Sequence, residues 1–285
     1  MWHAVFTRDA TTVSAGQKEC GVGQHRVRPE EIDTSRPHPA RIYDYLLGGK
    51  ENYPVDQRAG DELAAAAPEV RPGLRANRAF LRRAVRHVAG SGVRQILDIG
   101  TGLPTSPNVH EAAAEAGAEV RVAHVDNDPI VKAHAGALLG DSGTSGVVLG
   151  DLRDPQAVLD HPDVRRVIDF DAPVALLLLA VVHFLTDADR PGDVVARLRD
   201  ALPAGSFLVL SHATGDFADR RAAQAVYNKA TAALSLRSHA QVQRLFEGFE
   251  LVEPGLVQVP FWRPDTPPPA RSAEIGIYGG VARKA

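Results

Sequence analysis

The stretch Gln95–Thr105, read Gln-Ile-Leu-Asp-Ile-Gly-Thr-Gly-Leu-Pro-Thr, constrains this chain more than any other. Ile96, Leu97 and Ile99 form a short apolar run of the kind that makes a buried parallel strand. Asp98 lies near its carboxyl end, and Gly100 and Gly102 follow. Glycine takes the positive φ of a tight strand-to-helix turn and lets backbone come close to a ligand. In an open α/β sheet, ligands bind beyond the carboxyl ends of the strands. The stretch therefore predicts the first strand of a doubly wound sheet with a nucleotide-like ligand over its rim.

The residues around the glycines narrow the choice of ligand. A dinucleotide fingerprint reads G-x-G-x-x-G, but here Thr105 stands at the third glycine position, after Pro104. Asp98 would repel a pyrophosphate and attract a cation. S-adenosylmethionine carries a sulfonium and an α-amino group. The Asp-x-Gly-x-Gly pattern with no later glycine resembles the first motif of class I S-adenosylmethionine-dependent methyltransferases. An ordinary tight turn is the plainer reading of the same glycines, and a nicotinamide-dependent oxidoreductase is disfavoured by Thr105.

After this strand the pattern alternates strand and helix, as a parallel sheet with crossovers requires. Strands are expected at 119–125, 146–149, 174–182 and 206–210, and extended segments at 249–252, 257–262 and 275–283. Helices are expected at 107–116, 131–139, 155–159, 190–202, 216–234 and 238–246. Three strand ends then carry aspartates: Asp98, Asp126 and Asp151. Asp126, one strand–helix–strand step after Asp98, is placed to accept both ribose hydroxyls, with Asn127 beside it. Asp151 is placed to accept from an adenine amino group, and Leu152 to offer its N–H to a ring nitrogen. A lone aspartate at a strand end is more often a turn former or a helix cap. Three in register, with Gly100, Thr101 and Gly102 after the first, favour an adenosine-type ligand.

Upstream, Ala40-Arg41-Ile42-Tyr43-Asp44-Tyr45-Leu46-Leu47-Gly48-Gly49-Lys50 reads as a helix ended by its double glycine. Ile42, Tyr45, Leu46 and Gly49 share one face at helical spacing. The helix and loop would close over the ligand and bring Tyr45 and Gly49 to the cofactor. The alternative is an amphipathic helix packed on the core with its polar face in water. A short helix is expected at 61–67 and a longer one at 72–89, in which Arg75, Arg78, Arg82, Arg83 and Arg86 read as a solvated face.

The segments 40–50, 97–105 and His124-Val125-Asp126-Asn127-Asp128-Pro129 resemble an actinobacterial family of S-adenosylmethionine methyltransferases formerly carried as a domain of unknown function. The resemblance runs from about Ser35 to the C-terminus. It implies a class I methyltransferase (Rossmann-like) fold: a seven-stranded, mostly parallel sheet with an antiparallel last strand and helices on both faces. It also implies S-adenosyl-L-methionine as cofactor. Pro104 departs from the general class I pattern but fits this family. The expected organisation is a mobile extension over 1–36 and one cofactor-binding domain over 37–285, with a helical cap at 37–90.

Methyl transfer from a sulfonium is an in-line displacement in which positioning contributes much of the rate. His183, after the fourth strand, is the candidate general base, because an imidazole titrates near neutrality. It resembles the histidine that follows this strand in some small-molecule O-methyltransferases. A structural histidine bonded to a loop carbonyl or to Asp187 is the alternative, and His212 and Tyr43 are weaker candidates. Phe261 and Trp262 are candidates for the acceptor pocket, with a buried hydrophobic anchor the commoner role for a tryptophan. The remaining histidines and the single Cys20 show no metal-ligand spacing.

Composition bounds the partners. The formal net charge is −3 and no block of like charge stands out, which argues against nucleic acid. No Asn/Asp-Pro-Pro-Tyr/Phe motif follows the fourth strand, as it does in many amino-methylating nucleic-acid enzymes. A small-molecule acceptor is therefore expected. One cysteine makes no intrachain disulfide, which points to a reducing compartment. The longest apolar run, 172–185, is interrupted by Pro173 and His183 and is too short for a bilayer. No leader-like segment follows Met1, so a cytoplasmic protein off the membrane is expected. Oligomeric state has no signal here. A protein that binds the cofactor without catalysis, as a regulator, is the rival from another class.

Overall fold

Gln95–Ile99 form β1, and every residue of the strand is buried. β1 lies between two parallel neighbours, so both its faces must be apolar. A computed structural model of the chain describes residues 32–106, 108–139 and 144–285. Most of the expected extension over 1–36 thus lies outside the described residues. Its last residues are described and are packed: Asp33 O accepts from Arg41, and Arg36 donates to Ala230 O.

Three helices precede β1: α1 (Pro39–Leu47), α2 (Pro54–Ala66) and α3 (Val70–Gly90). Then follow α4 (Val109–Ala114), β2 (Arg121–Asp126), α5 (Pro129–Leu139), β3 (Ser145–Leu149), α6 (Pro155–Asp160), α7 (Pro162–Val167), β4 (Ala175–Leu179) and α8 (Pro191–Asp200). The chain ends with β5 (Phe207–Ala213), α9 (Arg221–Tyr227), α10 (His239–Arg244), β6 (Glu250–Leu251), β7 (Val257–Gln258) and β8 (Ile277–Arg283). The sheet order is β3-β2-β1-β4-β5-β8-β6, with β7 also on β8. β1 to β5 are parallel and β8 is antiparallel to β5. This is the class I methyltransferase arrangement. The position of a single sixth strand is divided between β6 and β7: Val252 donates to Val281 O, pairing resumes at Val257, and 253–256 bulge out where Pro254 has no N–H to offer the ladder.

Strand alternation sends Leu97, Ile99, Leu176, Leu178, Leu208 and Leu210 to one face, under α6, α7, α8 and α10. Ile96, Ala175, Leu177, Phe207 and Val209 go to the other, under α3 and α4. Each such buried Leu or Ile contributes roughly 1.5–3 kcal/mol. Trp262 anchors that second layer edge-to-face on Phe80, and Arg83 is buried with it, donating to Val259 O and Trp262 O. A third cluster joins α1, α2 and α9 through Ile42, Leu46, Leu63 and Tyr227 above the carboxyl rim of the sheet.

The helix expected at 61–67 begins at Pro54, the extended run expected at 257–262 turns 3-10 at Val259–Phe261, and two further expected elements differ where they bear on the site. The fourth strand stops at Leu179, because Ala180 takes a left-handed conformation (φ 53°) and turns the chain into a short 3-10 helix at Val182–Phe184. The long helix expected at 216–234 is helical only at 221–227. Beyond it, backbone groups leave the helical pattern for tertiary partners: Thr231 N donates to Pro37 O and Ser235 N to His183 O.

Candidate functional site

Over the carboxyl ends of β1–β4 lies a cavity of about 430 Å³, roofed by α1, α3 and the segment around α9. That volume falls in the usual range for small-molecule sites. Asp98, Gly100, Thr101, Gly102, Asp126, Asn127, Asp151, Leu152 and His183 all line it.

The glycine loop is built for close approach. Gly100 (φ 75°) donates to Val125 O, carrying the chain across β2, and a Cβ there would overlap Val181. Gly102 (φ 67°) donates its N–H to Asp126 Oδ2 at 2.9 Å, and a Cβ there would meet no protein atom. Asp98 accepts from Thr101 Oγ1 at 2.5 Å, and that hydroxyl also contacts His124 Nδ1 at 2.9 Å. α4 does not begin until Val109, capped by Asn108, so among the described residues no helix N-terminus stands at the glycines to receive a pyrophosphate.

Asp126 takes one hydrogen bond on each oxygen, from Gly102 N and Asp128 N. Burial still raises its carboxyl to about 6, against the lowering effect of those two N–H groups. Behind it lies a buried ion network. Asp128 caps α5 by accepting from Ile130 N and accepts Arg41 Nε at 2.9 Å. Arg41 also donates to Asp33 O and lies 3.7 Å from Asp56, and His38 Nδ1 lies 3.2 Å from Asp128. Arg41 and Asp128 are 2% and 1% exposed, so their charges depend on each other. The network ties the upstream motif to the second strand end. At the third, Asp151 is half-exposed, accepts from Arg153 and takes a longer bond of 3.4 Å from Asn127.

Tyr45 and Gly49 are not at the cavity. A helix turns about 100° per residue, so Tyr43 and Tyr45 lie on opposite faces. Pro39, Ala40, Tyr43 and Asp44 line the cavity, whereas Tyr45 packs on Gly60 of α2 and donates to Asp61. Gly49 lets the loop fold over Asp44, whose carboxylate accepts from Glu51 N and Asn52; a Cβ would overlap that carboxylate.

His183 has its Nδ1 committed to accepting the Ala213 N–H at 3.1 Å. Burial holds the imidazole well below its ordinary pKa, with His212 and Arg237 adding to the effect. The neutral ring therefore carries its hydrogen on Nε2, which bonds no described residue. That is a donor, and the base expected from the sequence has no free lone pair. His212 is saturated between Ala213 O and the Arg237 guanidinium, is pushed down to about 3 by burial, and does not line the cavity. Phe261 and Trp262 also lie away from it.

Three residues at the cavity were not picked as its chemistry: Arg78, Asn77 and Tyr227. Arg78, read as part of a solvated face, lines it and donates to Thr105 O beside the glycine loop. Asn77 donates to the Tyr43 hydroxyl, which donates on to Leu74 O. Tyr227 of α9 faces the same space. The signal for Asn77 and Arg78 was present: they stand three and four residues after Leu74, on its stripe rather than opposite it.

The model of the S-adenosyl methyltransferase family matches residues 25–285, and the chain belongs to that family. A DUF574 family protein from Streptomyces avermitilis is 45% identical over 89% of this chain and 100% of its own, with a TM-score of 0.84. A proposed methyltransferase from Thermobifida fusca is 38% identical over 90% of this chain and 97% of its own, with a TM-score of 0.83. No curated protein matches the chain. The family makes the chain an S-adenosylmethionine-dependent methyltransferase and sets the oxidoreductase reading aside. Among the described residues no helix is long and apolar enough to cross a membrane, and no cluster of His, Cys, Asp or Glu could hold a metal ion.

Proposed function

We propose that this member of the S-adenosyl methyltransferase family methylates a small molecule held in the cavity, with the cofactor along β1–β3 and the acceptor beyond β4. The observation that carries the reading is the continuity of one cavity from Asp151 and Leu152, past Asp126, Gly102 and Asp98, to His183 and Tyr227. The residues fit the cofactor by their chemistry. Gly102 leaves room where a Cβ would stand, and three carboxylates suit hydroxyl, amino and ammonium donors.

When bound, S-adenosylmethionine supplies a methyl carbon on a sulfonium; the acceptor's lone pair takes that carbon while the C–S pair stays on sulfur. Asp126 would receive the ribose hydroxyls and Asp151 the adenine amino group, with Leu152 to offer its N–H to a ring nitrogen and Asn127 alongside. Asp98 would receive the ammonium, and Arg78 suits the carboxylate of the same amino-acid end. Gly100, Thr101 and Gly102 let the backbone approach. His183 donates its Nε2–H to the acceptor and orients it, and the proton that the acceptor loses goes to water. The α1–α3–α9 roof lies over the bound pair, which favours in-line alignment.

Calorimetric titration tests the cofactor: S-adenosylhomocysteine is expected to bind and NAD not to. Label from methyl-labelled cofactor is expected in a fraction of small metabolites; label in RNA, DNA or protein alone would refute the small-molecule acceptor. Such transfer would also exclude a purely regulatory protein. His183→Phe should lower kcat about fivefold, the worth of one neutral hydrogen bond. Its pH–rate profile should keep the wild-type shape, whereas loss of a limb between pH 5 and 8 would restore the histidine as base.

A further inference from the structure

The acceptor end of the cavity differs in chemistry from the rim. Leu63, Ala67, Leu74, Phe184, Leu234 and Ile277 give it apolar walls. Tyr43, Phe184 and Tyr227 add aromatic rings, the last two 5.4 Å apart and tilted. Glu69 and Arg220 reach it as a pair, so neither presents a lone charge there.

Within these walls Asn77 and Tyr227 each keep a polar atom with no described partner, beside the unpartnered Nε of the paired Arg220. Asn77 is 3% exposed; its Nδ2 donates to Tyr43, but its buried Oδ1 accepts nothing among the described residues. Tyr227 is 8% exposed, its hydroxyl makes no hydrogen bond to a described residue, and burial, with Tyr43 close by, holds it un-ionised. A buried donor or acceptor left unmade weighs against the fold unless a ligand satisfies it. One unmet acceptor and one unmet donor in the same pocket are complementary to a hydroxyl, which donates and accepts through one atom.

We propose that the acceptor is an uncharged aromatic compound carrying a hydroxyl, held by Asn77 Oδ1 and the Tyr227 O–H against the rings of Tyr43 and Phe184. The inference rests on the methyl-transfer reading of the cavity but is tested apart from it. Asn77 and Tyr227 are positioning residues that fix which molecules fit.

The test uses the full chain with and without S-adenosylhomocysteine and reads binding of three probes by ligand-observed NMR: 2-naphthol, 2-fluoronaphthalene and 2-naphthoate. 2-Naphthol should bind about tenfold tighter than 2-fluoronaphthalene, which lacks the donor, and tighter than the charged 2-naphthoate. S-adenosylhomocysteine should not displace it. Tyr227→Phe, which removes a hydroxyl the fold does not use, should cut the naphthol preference to about threefold, and Asn77→Leu should do the same. Equal binding of naphthol and fluoronaphthalene, a preference for naphthoate, displacement by S-adenosylhomocysteine, or an unaltered preference in Tyr227→Phe would each overturn the proposal. Failure of S-adenosylhomocysteine itself to bind would instead overturn the cofactor reading.

Discussion

The two ends of the cavity are made in opposite ways. Over β1–β3 the chemistry sits on strand ends, in the short contiguous stretches 98–102, 126–128 and 151–152, and it is polar. Beyond β4 the lining comes from α1, α3, the turn at Val182–Phe184 and α9, and it is apolar with a few isolated polar atoms. A strand end has its place fixed by the direction and order of a parallel sheet. A residue on a packed helix has its place fixed only by what the helix rests on. One end can therefore hold an unchanging cofactor while the other is re-cut for a different acceptor by substitutions on the helices.

The joint between the ends is the Arg41–Asp128 pair, which couples α1 to the end of β2, and breaking it should have the largest effect. Arg41→Met leaves Asp128 buried without its cation and should cost about 3–5 kcal/mol in folding stability. Denaturant unfolding measures this; a loss below about 1 kcal/mol would mean that the roof and the rim are not linked through this pair. Next comes Asp126→Ala, which should weaken S-adenosylhomocysteine about 100-fold through two lost charge-assisted hydrogen bonds. Because the ends are separate, 2-naphthol affinity in that variant should stay within about twofold. A parallel loss of both ligands would break the comparison.

Acidity should separate the ends more gently. On the proposed placement, ribose hydroxyls would donate to the ionised form of Asp126, so cofactor affinity should fall as the pH drops below about 6. Between pH 7 and pH 5 the loss for S-adenosylhomocysteine should be about tenfold, and absent in Asp126→Asn. The stability of the ligand-free protein runs the other way. A carboxyl raised above its unfolded value stabilises the fold below the ordinary carboxylate range and loses that contribution as the pH rises through about 6. Naphthol binding should be flat over the same span, because burial keeps His183 neutral and holds the phenols of Tyr43 and Tyr227 above their usual range.

The same contrast decides what could be read before the fold was known. Asp98, Asp126 and Asp151 were legible because each closes an apolar run, and a parallel sheet brings such closures to one edge. Asn77 and Arg78 stand among arginines on a helix whose polar face is mostly in water, and only the stripe of Leu74 and Leu81 distinguishes the inward pair. Tyr227 was hidden further, since the helix expected around it extended through 234. That helix breaks to give backbone groups to Pro37 and His183, contacts no local pattern encodes. His183 was legible by position, but which of its nitrogens is committed is set by the Ala213 N–H thirty residues away in the chain.

The smallest expected effect concerns two tyrosines two residues apart. Tyr43 and Tyr45 belong to one short motif, and the sequence alone points Tyr45 to the cofactor and offers Tyr43 only as a weaker catalytic candidate. In the fold, Tyr43 faces the cavity, and Tyr45 lies across the helix with its hydroxyl on Asp61 and its ring under Arg71. Tyr45→Phe removes a hydrogen bond made at the surface, where water replaces it, so S-adenosylhomocysteine and 2-naphthol affinities should both stay within about twofold of wild type. Tyr43→Phe differs by leaving Asn77 Nδ2 and Leu74 O without their shared partner, and it should weaken naphthol several-fold with the cofactor unaffected. A tenfold loss of cofactor in Tyr45→Phe would mean that α1 sits a half-turn round from the orientation described, with Tyr45 rather than Tyr43 toward the ligand.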